Sequence, residues 1–417
     1  MVWWMHFNPE KQREGIHFGL KSLGDVFYQT ISIMYDCHEN YDGYNIHCLT
    51  NVGVNIFNID MTKHNTEYFN AIRDAMASSA SMPEMIPCAY YTPVALSVTM
   101  SVNDPIDVDD RVDIIILKDV TSIEQLRQFK KDNIKTASMP ILFWPPTLKL
   151  KDLNQIIKIT AGIVLDPKLD NIFGNFDGVL TRCREDRKPI FYMDPTLIDD
   201  YYKEIASDRK LLIQVHDLIK HRLDGVFLMD VRRGEPPIEC IQAFIKATEI
   251  IEKDYVAVVD YFKLSLPLKL PVLQPYAVAL AASIAALQCG ASAIIVLTTT
   301  GSSAKILSCA CPPCKVIAVT RHEKTARRMH LFRKVLPLHY RHSRFGSWQD
   351  ESMARIAFGT QFGLDTGLFN IGAKLVVLAP SEEGVVYCNS FQIFPVKHIL
   401  HRFECGRYDD NVEQFCG

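Results

Sequence analysis

Seven short apolar runs, at residues 53–60, 93–100, 112–117, 139–144, 161–166, 189–194 and 224–230, recur along the first half of the chain, and most show no alternation of polar and apolar side chains. A strand covered on one face alternates; a continuous apolar run is what a strand buried on both faces needs. The segments between the runs have helical spacing. In residues 122–129, Ser122 and Gln125 have the spacing of a capping box, and Ile123, Leu126 and Phe129 fall on one helical face. Buried strands joined by helices predict a parallel sheet with crossovers, and seven or eight such units in about 230 residues suit a (β/α)8 barrel.

The rhythm restarts after Glu252. Residues 255–262 read as a strand, 277–287 as a helix, and 293–297, 315–320 and 374–378 as strands, which predicts a second α/β domain. The expected organisation is a barrel over residues 1–252, an α/β domain over 253–396 and a polar, poorly ordered tail over 397–417. Residues 270–304 carry no charged side chain, but Gln274, Pro275, Gln288, Gly290 and the Thr/Ser cluster at the end favour an Ala-rich buried helix followed by a strand over a membrane span.

Composition narrows the partners. Apolar residues at 48% and charged residues at 22% exclude disordered, collagen-like and coiled-coil chains. With 45 basic and 48 acidic side chains the net charge is −3, so nothing favours nucleic acid or an anionic membrane. The 12 cysteines are irregularly spaced and read as reduced thiols of a cytoplasmic protein. The first residues, Met1 to Phe7, are apolar but lack the basic start of a secretory leader.

In a barrel of this kind the chemistry sits at the C-terminal ends of the strands. Asp60, Asp166, Asp194 and Asp230 each close an apolar run. They are candidate oxygen ligands for Mg²⁺, or N-caps of the helices that follow. No Lys, Arg or His at those ends offers an acid, base or phosphate clamp. In the second domain, Thr298, Thr299, Thr300, Gly301, Ser302 and Ser303 lead from a strand into a helix, either as an anion site or as a well-capped helix start. Cys309, Cys311 and Cys314 are close in sequence; they offer three of the four ligands of a structural zinc, or are reduced thiols in a Pro-stiffened turn.

Residues 293–305, with Pro312 to Arg321 and Thr325 to Leu331, closely resemble the C-terminal domain of the pyruvate kinases, and a weaker resemblance runs back through residues 224–228, 187–190 and 53–56. The resemblance implies the family's barrel and its α/β C-terminal domain, Mg²⁺ and K⁺ as cofactors, and transfer of a phosphoryl group from phosphoenolpyruvate to ADP in glycolysis. The family's phosphate and potassium groups after the 53–55 motif correspond here to Asn58, Asp60 and Thr62. Its catalytic lysine and metal-binding glutamate fall at about Phe143 and Pro145, and the second metal aspartate falls at Pro167 to Leu169, with Asp170 next. Asp194 stands for a threonine that supports proton delivery, and Met229 to Arg233 stand for Ser-Gly-Glu-Thr-Ala. A lid domain that the family inserts after its third strand has only residues 101–111 in its place.

The resemblance also matches residues 298–303 to the family's effector loop, while Ala379 to Gly384, with Glu382 and Glu383, replace a Gly-Trp-Arg-Pro-Gly loop. Weak sugar-phosphate binding is expected, without strong fructose bisphosphate control. The chain is therefore expected to be catalytically silent, with a structural or regulatory role in oligomers with itself or with an active pyruvate kinase. An active phosphotransferase is the alternative.

Overall fold

The computed structural model describes residues 29–37, 41–80, 92–104, 111–132, 138–169, 177–203, 208–229, 236–254, 270–342 and 346–399. Eight parallel strands, β1 (Ser32–Asp36), β2 (Ile56–Asp60), β3 (Ala95–Ser101), β4 (Ile114–Lys118), β5 (Ile141–Phe143), β6 (Gly162–Leu165), β7 (Ile190–Asp194) and β8 (Gly225–Leu228), pair in chain order. The barrel closes through β1 and β8, with Ile33 opposite Val226. The seven predicted runs are β2 to β8. The eighth strand, β1, precedes them all.

Two sets of side chains explain why the runs do not alternate. Met34, Ile56, Ala95, Ile114, Ile116, Leu142, Val164, Phe191, Met193 and Phe227 form one cluster that fills the barrel. The intervening residues, among them Ile33, Phe57, Val98, Ile115 and Leu117, belong to another, packed with the surrounding helices. Gly225 gives Phe191 its room, since a Cβ there would stand 2.1 Å from the ring. The helix Ile123–Asp132 buries Ile123, Leu126 and Phe129 as predicted. Its N-terminus differs in detail: Gln125 N donates to Ser122 Oγ at 3.3 Å, while Gln125 Oε1 accepts from the amide of Thr121 rather than Ser122.

β3 pairs directly with β4, Ser97 opposite Ile114. Only residues 102–113 connect them, too few for an inserted domain.

The second sheet has the order β11-β10-β9-β12-β13, built from β9 (Ala293–Leu297), β10 (Lys315–Thr320), β11 (Val335–His339), β12 (Lys374–Ala379) and β13 (Ser390–Pro395). All pairs are parallel except β12 with β13. The helix expected at 277–287 is Gln274–Cys289, with Pro275 in its first turn and Gly290 at φ 64° ending it. No described helix is long and apolar enough to cross a membrane. β11 and β13 were not expected. β11 contains Pro337, which an edge strand accommodates on its unpaired side. Ile399, three residues past the expected end of the domain at 396, is buried with Val396 in the core of this sheet. The run 255–262, the N-terminal residues 1–28 and residues 400–417 lie outside the described residues.

The second unit forms the floor of the barrel. Leu331, from the turn Met329–Leu331, joins the interior cluster of the barrel. Around it, Lys334 N donates to Thr30 O at 2.9 Å, His330 Nε2 stands 3.0 Å from Pro93 O, and Arg328 Nε donates to Asp113 O at 3.1 Å. Arg333 pairs with Glu252, which also accepts from Thr30. This floor lies at the N-terminal ends of the strands and leaves the opposite, C-terminal end as the barrel mouth.

Candidate functional site in the barrel mouth

Alternation along each strand that points Met34, Ile56, Ala95 and Ile116 inward also points inward Asp36, Asn58, Asp60, Ser97, Thr99 and Lys118, nearer the C-terminal ends. They form a polar layer over the apolar filling. Asn58 Nδ2 donates to Asp36 Oδ1 at 2.7 Å, and Asn58 Oδ1 accepts from Ser97 Oγ and Thr99 Oγ1 at 2.9 and 3.0 Å. Burial pushes the Asp36 carboxyl up to about 6, against the pull of Asn58, Lys63 and Lys118.

Asp60 is 3% exposed and fully engaged. Its Oδ1 accepts from the amide and hydroxyl of Thr62 at 3.1 and 2.6 Å; its Oδ2 is 3.0 Å from Lys118 Nζ and 3.2 Å from Lys63 Nζ. Burial alone would raise its pKa, but the Thr62 bond and the two ammonium charges outweigh that and hold it below the ordinary value. Lys118 Nζ also lies 4.2 Å from the ring centroid of Trp144, just beyond β5.

Lys118 corrects the expectation that no cation stands at a strand end. The fourth run ends at Leu117 by apolarity, but the strand continues one residue further. The inward positions 114, 116 and 118 carried the signal that would have found it. Asp36 escaped notice because β1 did.

The other described candidates, Asp166 and Asp194, make local contacts. Asp194 Oδ1 accepts from the amides of Thr196 and Leu197 at 3.1 and 2.9 Å, just ahead of the helix Leu197–Tyr202 whose N-cap is Thr196, and burial raises its pKa. Asp166 accepts from the amide of Lys168 at 2.8 Å. Asp170, Asp230, Arg232 and Arg233 lie outside the described residues. Among the described residues no three His, Cys, Asp or Glu side chains stand together as a group for a metal. Asp60, Asp166 and Asp194 are therefore not brought into one cluster, nor do Cys309, Cys311 and Cys314 form one. The thiols of Cys309 and Cys314 are pushed up to about 12 by burial.

The second candidate, at the C-terminal end of β9, is a compact turn. Gly301, at φ 81°, donates its N–H to Thr298 Oγ1 at 3.0 Å, and Thr300 Oγ1 donates to Ser302 Oγ at 2.9 Å. Arg355 reaches under it to Thr298 O and Val319 O at 3.3 and 2.8 Å. Ser303 Oγ accepts from Cys388 N at 3.4 Å, which joins the turn to the segment after β12. Thr299, Thr300 and Ser302 remain exposed, as do Glu382 and Glu383 across the same end of the sheet. β9 and β12 are neighbours from which the chain leaves in opposite directions, so this crevice is the sheet's topological switch point.

Residues 276–394, which carry this sheet and turn, match the family model described as pyruvate kinase, alpha/beta domain. The similarity extends beyond them into the barrel. Pyruvate kinase 2 of Saccharomyces cerevisiae is 26% identical over 255 residues, covering 59% of this chain and 50% of its own. Human pyruvate kinase PKLR is 29% identical over 262 residues, covering 59% and 44%. This chain carries a pyruvate kinase alpha/beta domain and is a diverged homologue of the pyruvate kinases. It spans about half the length of the curated relatives it matches.

The Mg²⁺ that the family resemblance implies does not fit the described mouth. A divalent cation needs carboxylate oxygens free to face it. Both oxygens of Asp60 are taken by Thr62, Lys63 and Lys118, and one oxygen each of Asp166 and Asp194, the Oδ1, turns back to backbone amides. Phe143 is fully buried and offers no donor. For K⁺, Asn58 Oδ1 already accepts two hydroxyls, and Thr62 donates its own to Asp60.

Proposed function

We propose that this pyruvate kinase homologue has lost phosphoryl transfer and acts by assembly, with copies of itself or with an active pyruvate kinase. The observation that carries the first half is the pairing of Lys118 and Lys63 with Asp60 in the described part of the barrel mouth. Phosphoryl transfer depends on fixed cations aimed at phosphate oxygens. Here Lys118 and Lys63 are aimed at Asp60 instead. The direct passage from β3 to β4 supports the same reading, since no lid is present at that point to exclude water from a nucleotide.

For the second half, β13 is an edge strand with Ile393 exposed, close in sequence to Val386 and Tyr387, 93% and 37% exposed. An apolar edge of this kind is suited to pairing with a partner. The turn Thr298–Ser303 is the proposed place for a weakly held sugar phosphate, with Glu382 and Glu383 opposing strong binding.

The test is pyruvate formation from phosphoenolpyruvate and ADP with Mg²⁺ and K⁺, beside an active family member. No turnover above a heat-inactivated sample is expected, and a rate near the control overturns the proposal in favour of an active phosphotransferase. Light scattering at micromolar concentration tests assembly: a species larger than the monomer, or a complex with the active relative, is expected. A strict monomer that ignores the relative removes that half.

A further inference from the structure

We infer that the ammonium of Lys118 is the resident cation of the barrel mouth, a tethered substitute that occupies the place between Asp60 and Trp144 and makes the mouth indifferent to free metal ions. The inference rests on the reading of this mouth as one that has given up metal-assisted transfer.

Its basis is the arrangement around one nitrogen. Lys118 Nζ is 3.0 Å from Asp60 Oδ2 and 4.2 Å from the Trp144 ring centroid. A carboxylate on one side and an aromatic face on another are the partners that hold an ammonium ion best. Both are themselves fixed: Asp60 by Thr62 at 2.6 Å, and Trp144 by edge-on contact with Phe227, whose centroid is 6.0 Å away. The place is thus built, and the side chain of Lys118 reaches it from β4.

The charges described there are paired as well. The groups facing the nitrogen are Asp60, with Lys63 on its outer side, and the more distant Asp36, whose carboxyl is tied to Asn58. With Lys118 present, Asp60 has a second cation at close range beside Lys63, although it is 3% exposed. Without it, the buried carboxylate would keep only the half-exposed Lys63 at 3.2 Å, and its side toward Trp144 would have no cation. A tethered cation also arrives without the entropy cost of binding a free one, so a free ion must displace an intramolecular partner to enter.

Chemical complementation tests the assignment. Lys118→Ala removes three methylenes and the ammonium, and propylammonium supplies the same atoms. The wild-type chain is expected to show no shift in melting temperature with millimolar Mn²⁺ or propylammonium. Lys118→Ala is expected to melt several degrees lower and to recover most of that loss with propylammonium at tens of millimolar, a recovery absent from Lys118→Ala/Asp60→Asn. Lys118→Arg, which keeps the charge, is expected to melt near the wild type and covers the case in which the alanine variant does not fold. A wild-type chain stabilised by Mn²⁺ through Asp60, or a Lys118→Ala variant as stable as the wild type, overturns the inference. So does a folded variant that ignores propylammonium, or a Lys118→Arg chain that gains a Mn²⁺ response. These outcomes leave the turnover assay untouched, whereas wild-type pyruvate formation overturns the loss of transfer whatever the variants do.

Discussion

Arg327 donates its Nε to both carboxylate oxygens of Asp113, at 3.0 and 2.9 Å, across 214 residues of sequence. Asp113 is 1% exposed and precedes β4 at the floor of the barrel, where it also accepts from the amide of Leu96 at 3.1 Å. Burial raises its pKa, and Arg327 is the strongest force in the other direction. The ion pair therefore joins the two units at a point where the carboxylate is shut off from water.

Removing the arginine strands the carboxylate. Arg327→Met is expected to cost about 3 kcal/mol at pH 7, the scale on which a broken buried pair destabilises. Without Arg327 the Asp113 pKa rises further, so protonation relieves the loss and the deficit shrinks as the pH is lowered toward 5. Urea titrations of wild type and variant at the two pH values measure this, and a deficit independent of pH would mean that Arg327 acts through packing alone.

Two positions in the barrel interior should respond in opposite volume senses. Leu331→Ala leaves a cavity in the floor and is expected to cost about 2–4 kcal/mol, although the residue belongs to the second unit. Gly225→Ala forces a methyl group onto the Phe191 ring and is expected to cost about 1–3 kcal/mol through overpacking. Denaturant midpoints check both. If Leu331→Ala unfolds in two separate transitions while the wild type unfolds in one, the floor is what couples the two units.

Much of this fold was legible because strands buried on both faces leave unbroken apolar runs, and β2 to β8 did so. β1 was harder to see, since Ser32 and Asp36 interrupt a short segment whose polar ends serve the floor and the mouth: Ser32 Oγ donates to His330 O, and Asp36 accepts from Asn58. β11 carries Pro337, which by local rules argues against a strand, and only its position at the edge permits it. The mouth was half legible. Asp60 and Asp194 stand where strand ends predict, but Lys118 is a charged residue that closes an apolar run, and its partners come from β2 and from the residue after β5. Sequence spacing does not encode such a meeting; barrel closure does.

On the acid side, stability should depend on Glu252. Burial would raise its pKa, but Arg333, Lys334 and Thr30 bring it down to about 2 from 4.5. A depressed carboxylate contributes stability above its ordinary value that is lost as the pH falls from about 4.5 toward 2. The shift corresponds to roughly 3 kcal/mol. Glu252→Gln is expected to be less stable than the wild type at pH 6 and to converge with it near pH 2, as followed by urea midpoints.

Asp36 should behave with the opposite sign. Its carboxyl is raised from 3.8 to about 6, chiefly by burial, so the folded chain holds the proton more tightly than the unfolded one. Stability contributed by this group is greatest below pH 4 and declines as the pH rises to about 6. Asp36→Asn keeps an oxygen for the Asn58 amide and removes the charge, so the variant is expected to match the wild type near pH 4. At pH 7 it should exceed the wild type by up to about 3 kcal/mol. Lys118 and Lys63 make the sign informative: were their attraction stronger than the burial penalty, the variant would be the less stable protein at pH 7. A urea midpoint for Asp36→Asn below that of the wild type at neutral pH would mean that these lysines, rather than desolvation, govern Asp36.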